Sequence, residues 1–202
     1  MSTDTLASWR HHRLTFENFC FLARKYQKAD LIKGVMYVEA PTFDLDETTF
    51  GFLFKLLELY LAPKNLGIIP GSKMMVRLSE HDAPTPDIMF IAKERQHIVN
   101  ADFVDGAPDL VVEIISPGTA YIDRKLKKKQ YAKFGVLEFW MIDPDRLVAE
   151  FWRNHDGKWE ALPLTAEGIF HSQVVSGFWL NVEWLWAEEL PDPLEAVTQI
   201  LK

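Results

Sequence analysis

Cysteine is almost absent from the chain, which contains a single one, Cys20, among its 202 residues. One cysteine excludes an internal disulfide framework and a zinc site built from several cysteines, and it suits a reducing cytoplasm. Long apolar runs are also missing, because none approaches the roughly 20 residues that a bilayer-spanning helix needs. The first residues lack the apolar core of a secretory signal. We therefore expect a cytoplasmic protein without a membrane segment.

Several motifs of familiar chemistry are missing as well. The sequence has no glycine-rich phosphate loop, no GxSxG motif, and no Ser, His and Asp residues that sequence alone would assemble into a set. Its six histidines show no metal-ligand spacing beyond the adjacent pair His11 and His12, so no zinc site is predicted. The chemistry of this protein is therefore sought among its carboxylates and lysines.

Net positive charge is missing too, since the formal net charge is −7. An acidic chain is not drawn to nucleic acid by its overall field. The charge is nevertheless uneven, and one segment holds six basic residues and no acid: Arg124, Lys125, Lys127, Lys128, Lys129 and Lys133. A polyanionic partner should meet the protein at this segment, with the help of a bound divalent cation.

The N-terminal part of the chain predicts two helices with a hairpin between them. Apolar residues at helical spacing indicate a helix over Thr15–Tyr26, with Thr15 as its N-cap. A second amphipathic helix is predicted over Asp44–Leu61, and Pro63 should end it. Between them, the alternating residues of Leu31–Ala40 predict a two-stranded hairpin.

The remaining chain reads as a series of strands with one helix among them. Strands are predicted in the ranges 67–78 (two strands), 87–92, 110–115, 136–142, 146–153, 158–162 and 169–175. The lysine-rich helix lies between Ile115 and Val136, and this connection is long enough for a right-handed parallel crossover. From Val182 onward the pattern is helical. Composition, length and this order predict one α/β domain over residues 1–202, with a mixed central sheet.

Two acids stand at strand positions where they could share a metal ion. Asp87 opens an apolar strand after Pro86, and Glu113 interrupts the apolar run LVVEII. Two carboxylates from neighbouring strands are a common way to hold Mg²⁺, which prefers oxygen ligands, and the carbonyl of Ile114 could be a third. The alternative is structural, with Asp87 as a turn acid and Glu113 paired with a lysine.

Strand alternation places Glu113 on the same face as Val111 and Ile115, so no cation comes from position 115. The following helix can supply one, because Asp123, Lys127 and Tyr131 are spaced i, i+4 and i+8 on one face. Lys127 would then reach back to Glu113, orient an attacking water and stabilise negative charge on a phosphate. The alternative is an exposed Asp123–Lys127 pair of little energetic weight.

The motifs together resemble a known family. PTPD at 84–87, PDLVVEIISP at 108–117, and Asp123, Lys127 and Tyr131 followed by GVLEFWMIDP at 135–144 resemble the Uma-type restriction endonuclease family, within the PD-(D/E)xK nuclease superfamily. The resemblance covers about residues 14–186. It implies a restriction-endonuclease-like α/β fold, in which helices flank a mixed central sheet, with a helix and a hairpin at the N-terminal end of the chain. It also implies a divalent metal and phosphodiester hydrolysis.

The chain departs from the superfamily at one position. The lysine that usually lies two residues after the glutamate is replaced here by Ile115, and the resemblance assigns its role to Lys127, with Lys125 as a weaker competitor. The resemblance also implies an accessory histidine or acid near the start of the second helix, for which Asp46 or Glu47 is the nearest match.

The preferred hypothesis is therefore a Mg²⁺- or Mn²⁺-dependent endodeoxyribonuclease, with Asp87 and Glu113 on the metal, Lys127 beside them and DNA as the partner. The alternative is a catalytically inactive nuclease-fold module for nucleic-acid binding or self-association, which the net charge of −7 favours. A nuclease for RNA or for structured DNA ends is a third reading. A homodimer is compatible with each, because cutting both strands needs two sites.

Overall fold

The computed structural model describes residues 13–25, 28–38, 45–71 and 74–202. Its α-helices are α1 (Phe16–Ala23), α2 (Leu45–Lys64), α3 (Lys128–Phe134) and α4 (Pro193–Ile200). Its strands are β1 (Ala29–Ile32), β2 (Val35–Val38), β3 (Gly67–Ile68), β4 (Met75–Arg77), β5 (Ile88–Ala92), β6 (Phe103–Asp105), β7 (Leu110–Ile114), β8 (Glu138–Asp143), β9 (Val148–His155), β10 (Lys158–Leu162), β11 (Ile169–His171) and β12 (Trp179–Asn181). Short 3₁₀ turns cover Lys93–Ile98 and Val182–Trp186. Among the described helices, none combines the length and apolarity needed to cross a bilayer.

The N-terminal elements follow the sequence pattern closely. Thr15 caps α1 as predicted, because its hydroxyl accepts a hydrogen bond from the N–H of Asn18 at 3.3 Å. The helix ends at Ala23, and Tyr26, where it was expected to end, lies outside the described residues. β1 and β2 form the predicted hairpin, with Leu31 opposite Met36. Ala40, the expected end of that hairpin, also lies outside the described residues.

The expected end of α2 is wrong. The helix continues through Pro63 to Lys64. Proline removes one intrahelical hydrogen bond, but in the last turn of a helix that loss affects few neighbours. The helix ends instead where Asn65 takes a left-handed conformation, with φ of 51°. Asparagine tolerates that conformation better than most residues, and it is a usual helix terminator.

The central sheet is mixed, as predicted, with the strand order β10-β9-β8-β7-β5-β3. β7 and β8 are parallel, and β8 pairs with β9 in antiparallel fashion. The two strands expected in the range 67–78 separate, because β3 joins this sheet whereas β4 pairs with β6. The strand expected at 169–175 is shorter and pairs with β12 in its own small sheet. The differences thus concern the strands with which these short segments pair.

The crossover between β7 and β8 carries the lysine-rich segment. It begins with a π-helical turn, Ile122–Lys127, in which the N–H of Lys128 bonds the carbonyl of Asp123. The segment continues as α3 and ends at Gly135, whose φ of 87° is costly for any residue with a side chain. The wider π turn is often found at functional sites. This arrangement lays one face of the helical segment against the sheet.

The faces of β7 are sorted as the alternation predicts. Val112 and Ile114 belong to the larger core, which packs against α2, the C-terminal 3₁₀ turn and α4. Val111 and Ile115 belong to the second core, together with Tyr131 from α3. Glu113 therefore faces the helical crossover, and its carboxylate enters a layer that is otherwise apolar.

Two glycines provide a matched test of this packing. A Cβ at Gly67 would lie 2.2 Å from the carbonyl oxygen of Ile91, whereas one at Gly51 in α2 would meet nothing within 4 Å. We expect Gly67→Ala to lower the free energy of unfolding by about 1–3 kcal/mol. Gly51→Ala should raise it by about 0.5–1 kcal/mol, because alanine is the better helix former. Urea unfolding measures both changes, and effects of equal sign would contradict the placement of β3.

Candidate active site

Glu113 is the centre of a buried polar cluster. Its side chain is 0% exposed, and protein donors occupy both of its oxygens. The hydroxyl of Tyr131 donates to Oε1, and Lys127 Nζ donates to Oε2 at 2.9 Å. Burial raises the pKa of Glu113 well above its ordinary value, although the nearby ammonium of Lys127 works in the opposite direction. The helical crossover therefore supplies both groups that make this acid tolerable in the core.

Lys127 joins three carboxylates. Its Nζ lies 2.9 Å from Glu113, 3.0 Å from Asp123 and 3.5 Å from Asp30. The side chain is 1% exposed, so the reading of an exposed Asp123–Lys127 pair is wrong: the π turn directs both side chains into the core. Burial alone would lower the pKa of Lys127, but the three carboxylates raise it well above its usual value. The ammonium is therefore a fixed charge in this site.

Asp87 is anchored to the end of β7, the strand that carries Glu113. Its Oδ2 accepts a hydrogen bond from the N–H of Ile114 at 2.7 Å, and its Oδ1 lies 2.6 Å from Lys28 Nζ. Burial would raise the pKa of Asp87, but Lys28, Lys127 and the Ile114 N–H bring it below its usual value. Asp87 is thus more than a turn acid, because it bridges the start of β5 to the end of β7.

Asp30, a member of the cluster that the sequence analysis did not select, comes from the hairpin. Its Oδ1 accepts a hydrogen bond from the N–H of Thr85 at 2.7 Å. Burial raises its pKa, and the two lysines only partly oppose that effect. The signal that marked Glu113 was also present here, since Asp30 is an acid in a strand whose residues are all buried. Lys28 had no local signal, because its partner Asp87 lies 59 residues away.

The cluster has more acids than cations. Asp30, Asp87, Glu113 and Asp123 face only two lysines, Lys28 and Lys127, which leaves two negative charges when all groups are ionised. Such a surplus is costly at a buried site unless protons or a cation offset it. A divalent cation carries the matching charge.

One end of the cluster reaches solvent. The side chains of Asp87 and Lys28 are 21% and 12% exposed, whereas the Glu113–Lys127 end is sealed. Within the residues that the structure describes, no three His, Cys, Asp or Glu side chains converge into a ready-made metal cage. Mg²⁺ seldom uses such cages, because it keeps several waters and takes one or two carboxylates. Solvent access thus points to the Asp87 end as the place where an ion or a substrate would arrive.

Of the other predicted residues, some lie in the buried cluster and others on the surface. Tyr131 and Asp123 are in the cluster, as their spacing indicated. Lys125, the competitor of Lys127, is exposed. Glu47 is exposed in the first turn of α2, whereas the side chain of Asp46 lies outside the described part of the chain.

Most of the chain matches a known protein family. The Uma2 family model, described as "Putative restriction endonuclease", matches residues 15–183. The chain belongs to the Uma2 family. The match spans the hairpin, Asp87, β7 and the crossover helix, so every member of the buried cluster lies within it.

A solved structure agrees with the fold of this Uma2 protein. A crystal structure described as "a putative nuclease belonging to DUF820" from Anabaena variabilis covers 86% of this chain and 97% of that chain, with a TM-score of 0.67. The identity is 16%, so the likeness establishes the shared α/β fold and nothing finer. A comparison with curated proteins gives no match.

Substitutions in the cluster should have unequal effects on stability. Lys127→Met leaves three acids without their shared cation, and we expect it to lower the free energy of unfolding by about 3–5 kcal/mol. Glu113→Gln should change it by less than about 1 kcal/mol, because Lys127 keeps two carboxylates and the surplus of negative charge falls. Combined, the two substitutions should cost less than their sum.

Urea unfolding of the two variants and of the double variant measures these differences. Lys125→Met is the matched control, since it removes an exposed lysine from the same helical segment, and it should stay within about 0.5 kcal/mol of the parent protein. Equal losses for Lys125→Met and Lys127→Met would contradict the buried placement of Lys127.

Proposed function

We propose that this Uma2 protein is a metal-dependent endonuclease that hydrolyses DNA phosphodiester bonds, with Mg²⁺ or Mn²⁺ as the cofactor. The observation that supports it most is the buried meeting of Glu113 and Lys127 beside Asp87, with a surplus of two negative charges next to an end that solvent reaches. A purely structural ion pair needs no such surplus. A site that receives a divalent cation does.

The residues present fit such a cation. Asp87 and Glu113 would supply carboxylate oxygens and Ile114 a backbone carbonyl, and these hard ligands suit Mg²⁺ or Mn²⁺. When bound, the metal would activate a water and polarise the phosphate. The N–H of Ile114 fixes Asp87 at 2.7 Å, so the carboxylate is oriented before any ion binds. Such preorganisation lowers the cost of assembling the site.

Lys127 would provide fixed positive charge behind the carboxylates that hold the metal. Its ammonium is held by Glu113, Asp123 and Asp30, so it would offset negative charge at the site from a fixed position, without direct contact with the phosphate. Tyr131 would keep the Glu113 carboxylate in one orientation through its hydroxyl. The hairpin, through Asp30, thus contributes to the site together with the sheet and the crossover helix.

The exposed lysines of the basic segment would contact the DNA backbone. Arg124 is already paired with Asp143 and Glu150, and Lys128 lies over the ring of Trp152. Lys125 and Lys129 are exposed and carry their charge to the surface. Contacts of this kind add affinity without reading sequence. With a net charge of −7, the protein should bind DNA weakly and with strong dependence on salt.

One observation favours a second function. Both oxygens of Glu113 have protein donors and the side chain is sealed, so this carboxylate is satisfied without any ligand. A nuclease-fold module for nucleic-acid binding or self-association would need no more than that. The surplus of acids and the solvent-exposed Asp87 weigh against this reading.

Cleavage assays test the endonuclease directly. We expect purified protein to cut plasmid DNA in Mg²⁺ or Mn²⁺, and Glu113→Gln, Asp87→Asn and Lys127→Met each to lower the rate by about 10²–10³. Lys93→Met, which removes an exposed lysine outside the basic segment, is the control and should keep most of the rate. Cleavage that survives all three site variants would contradict the proposal, and RNA should be compared with DNA in the same assay.

Metal titration gives a second test that needs no cleavage. Lys28 holds Oδ1 of Asp87, so an incoming ion must displace its ammonium. Removing that competitor with Lys28→Met should tighten Mn²⁺ binding by about tenfold, the equivalent of roughly 1.4 kcal/mol. Isothermal titration calorimetry measures the change, with the exposed Lys93→Met as control. Unchanged or weaker Mn²⁺ binding in Lys28→Met would show that the ion does not bind at Asp87.

A further inference from the structure

A cleft of about 600 Å³ adjoins the exposed end of the acidic cluster. Lys28 lines the cleft and also contacts Asp87 at 2.6 Å. Thr85 lines it as well, and the N–H of this residue donates to Asp30. The cleft is therefore continuous with the candidate site. Its volume is within the roughly 300–1,000 Å³ of small-molecule sites.

The wall of the cleft is aromatic. Phe16 and Phe103 meet edge to face, with ring centroids 5.0 Å apart, and both line the cleft. Phe21 also lines it, and its side chain is 51% exposed. Aromatic side chains at the edge of an open cleft are the groups on which unpaired bases stack.

The charges around the cleft select a base over a phosphate. Arg24 and Lys28 line it, but so do Glu17 and Asp102, and the ammonium of Lys28 is already paired with Asp87. The formal sum of these side chains is zero, so the cleft offers no net attraction to a phosphate. Carboxylates accept hydrogen bonds from the exocyclic amino groups of bases. A neutral, flat, amino-bearing group is the best match.

We propose that this cleft holds one unstacked nucleobase, belonging to a nucleotide next to the phosphate that is cut. The phosphate would face Lys28 and Asp87 at the solvent-exposed end, and the base would lie against Phe21 and Phe103. The preferred substrate class would then be DNA with an unpaired nucleotide at the cleavage position, such as a single strand or a flap. This inference rests on the proposed function for the cutting step alone, and the binding of the base is independent of it.

The physical consequence is a preference for unpaired DNA. A base within a duplex must be unstacked and unpaired before it can enter a cleft, at a cost of a few kcal/mol, whereas a single strand largely avoids this cost. We expect single-stranded oligonucleotides to bind at least about tenfold more tightly than the same sequence as a duplex.

The test uses oligonucleotides that carry the fluorescent base 2-aminopurine, single-stranded or in a duplex, with full-length protein and without divalent metal. Binding should quench the base when it stacks on the aromatic wall. Phe21→Ala should weaken single-strand binding by about fivefold or more, because the base loses its stacking partner. Leu194→Ala, which removes an exposed apolar side chain on α4, is the matched control and should bind like the parent protein.

The outcomes separate the two proposals. Single-strand preference that falls in Phe21→Ala supports the cleft, even if no DNA is cut in Mg²⁺ or Mn²⁺ and the endonuclease proposal fails. Equal binding of single strand and duplex, with no effect of Phe21→Ala, overturns the cleft, even if the protein cuts plasmid DNA. Phe21→Leu keeps the apolar bulk but removes the ring, so it is a second variant for a Phe21→Ala protein that does not fold, and normal single-strand binding by Phe21→Leu would likewise count against the cleft.

Discussion

A carboxylate that water does not reach is the constraint on which the site depends. Glu113 stands in the middle of β7 with no exposed surface, so it must find its partners within the protein. The crossover helix meets that need with Lys127 and Tyr131, one turn apart on the same face. The parallel pairing of β7 and β8 follows from the same connection, because the helix must return the chain to the start of the neighbouring strand. Fold and site thus share one element.

The cluster divides into a sealed half and an open half. The sealed half, around Glu113 and Lys127, is held by the hydrogen bonds that Lys127 and Tyr131 donate to Glu113. The open half, around Asp87 and Lys28, is partly exposed and borders the aromatic cleft. The negative surplus lies in the sealed half, where three acids face Lys127, so a cation that arrives at the neighbouring open half would offset charge that Lys127 leaves unpaired. In this account the sealed half keeps the geometry, and the open half receives metal and substrate.

The sequence allowed the central part of this arrangement to be predicted, and the reason is local periodicity. Alternation along β7 fixed the face of Glu113, and helical spacing fixed Asp123, Lys127 and Tyr131 on one side of the crossover. Asp30 was missed although it interrupts a buried strand in the same way as Glu113, because its strand is short and its partners lie far along the chain. Lys28 could not be predicted, because its partner Asp87 lies 59 residues further along the chain.

The errors in the fold have equally local causes. Pro63 was expected to end α2, but a proline in a last turn disturbs little, and the left-handed Asn65 decides the end. β3 and β4 were expected as neighbouring segments, yet their pairing depends on β5 and β6, which follow later in the chain. Short strands carry too little pattern to reveal a distant partner.

The central claim is that a divalent ion binds where the two halves of the cluster meet, between Asp87 and Glu113. A crystal structure of the protein soaked in Mn²⁺, with the ion located by its anomalous scattering, tests this most directly. The account predicts one Mn²⁺ within bonding distance of both carboxylates, with Lys28 Nζ moved away from Asp87. A structure with Mn²⁺ only elsewhere, and with Lys28 still in contact with Asp87, would contradict it.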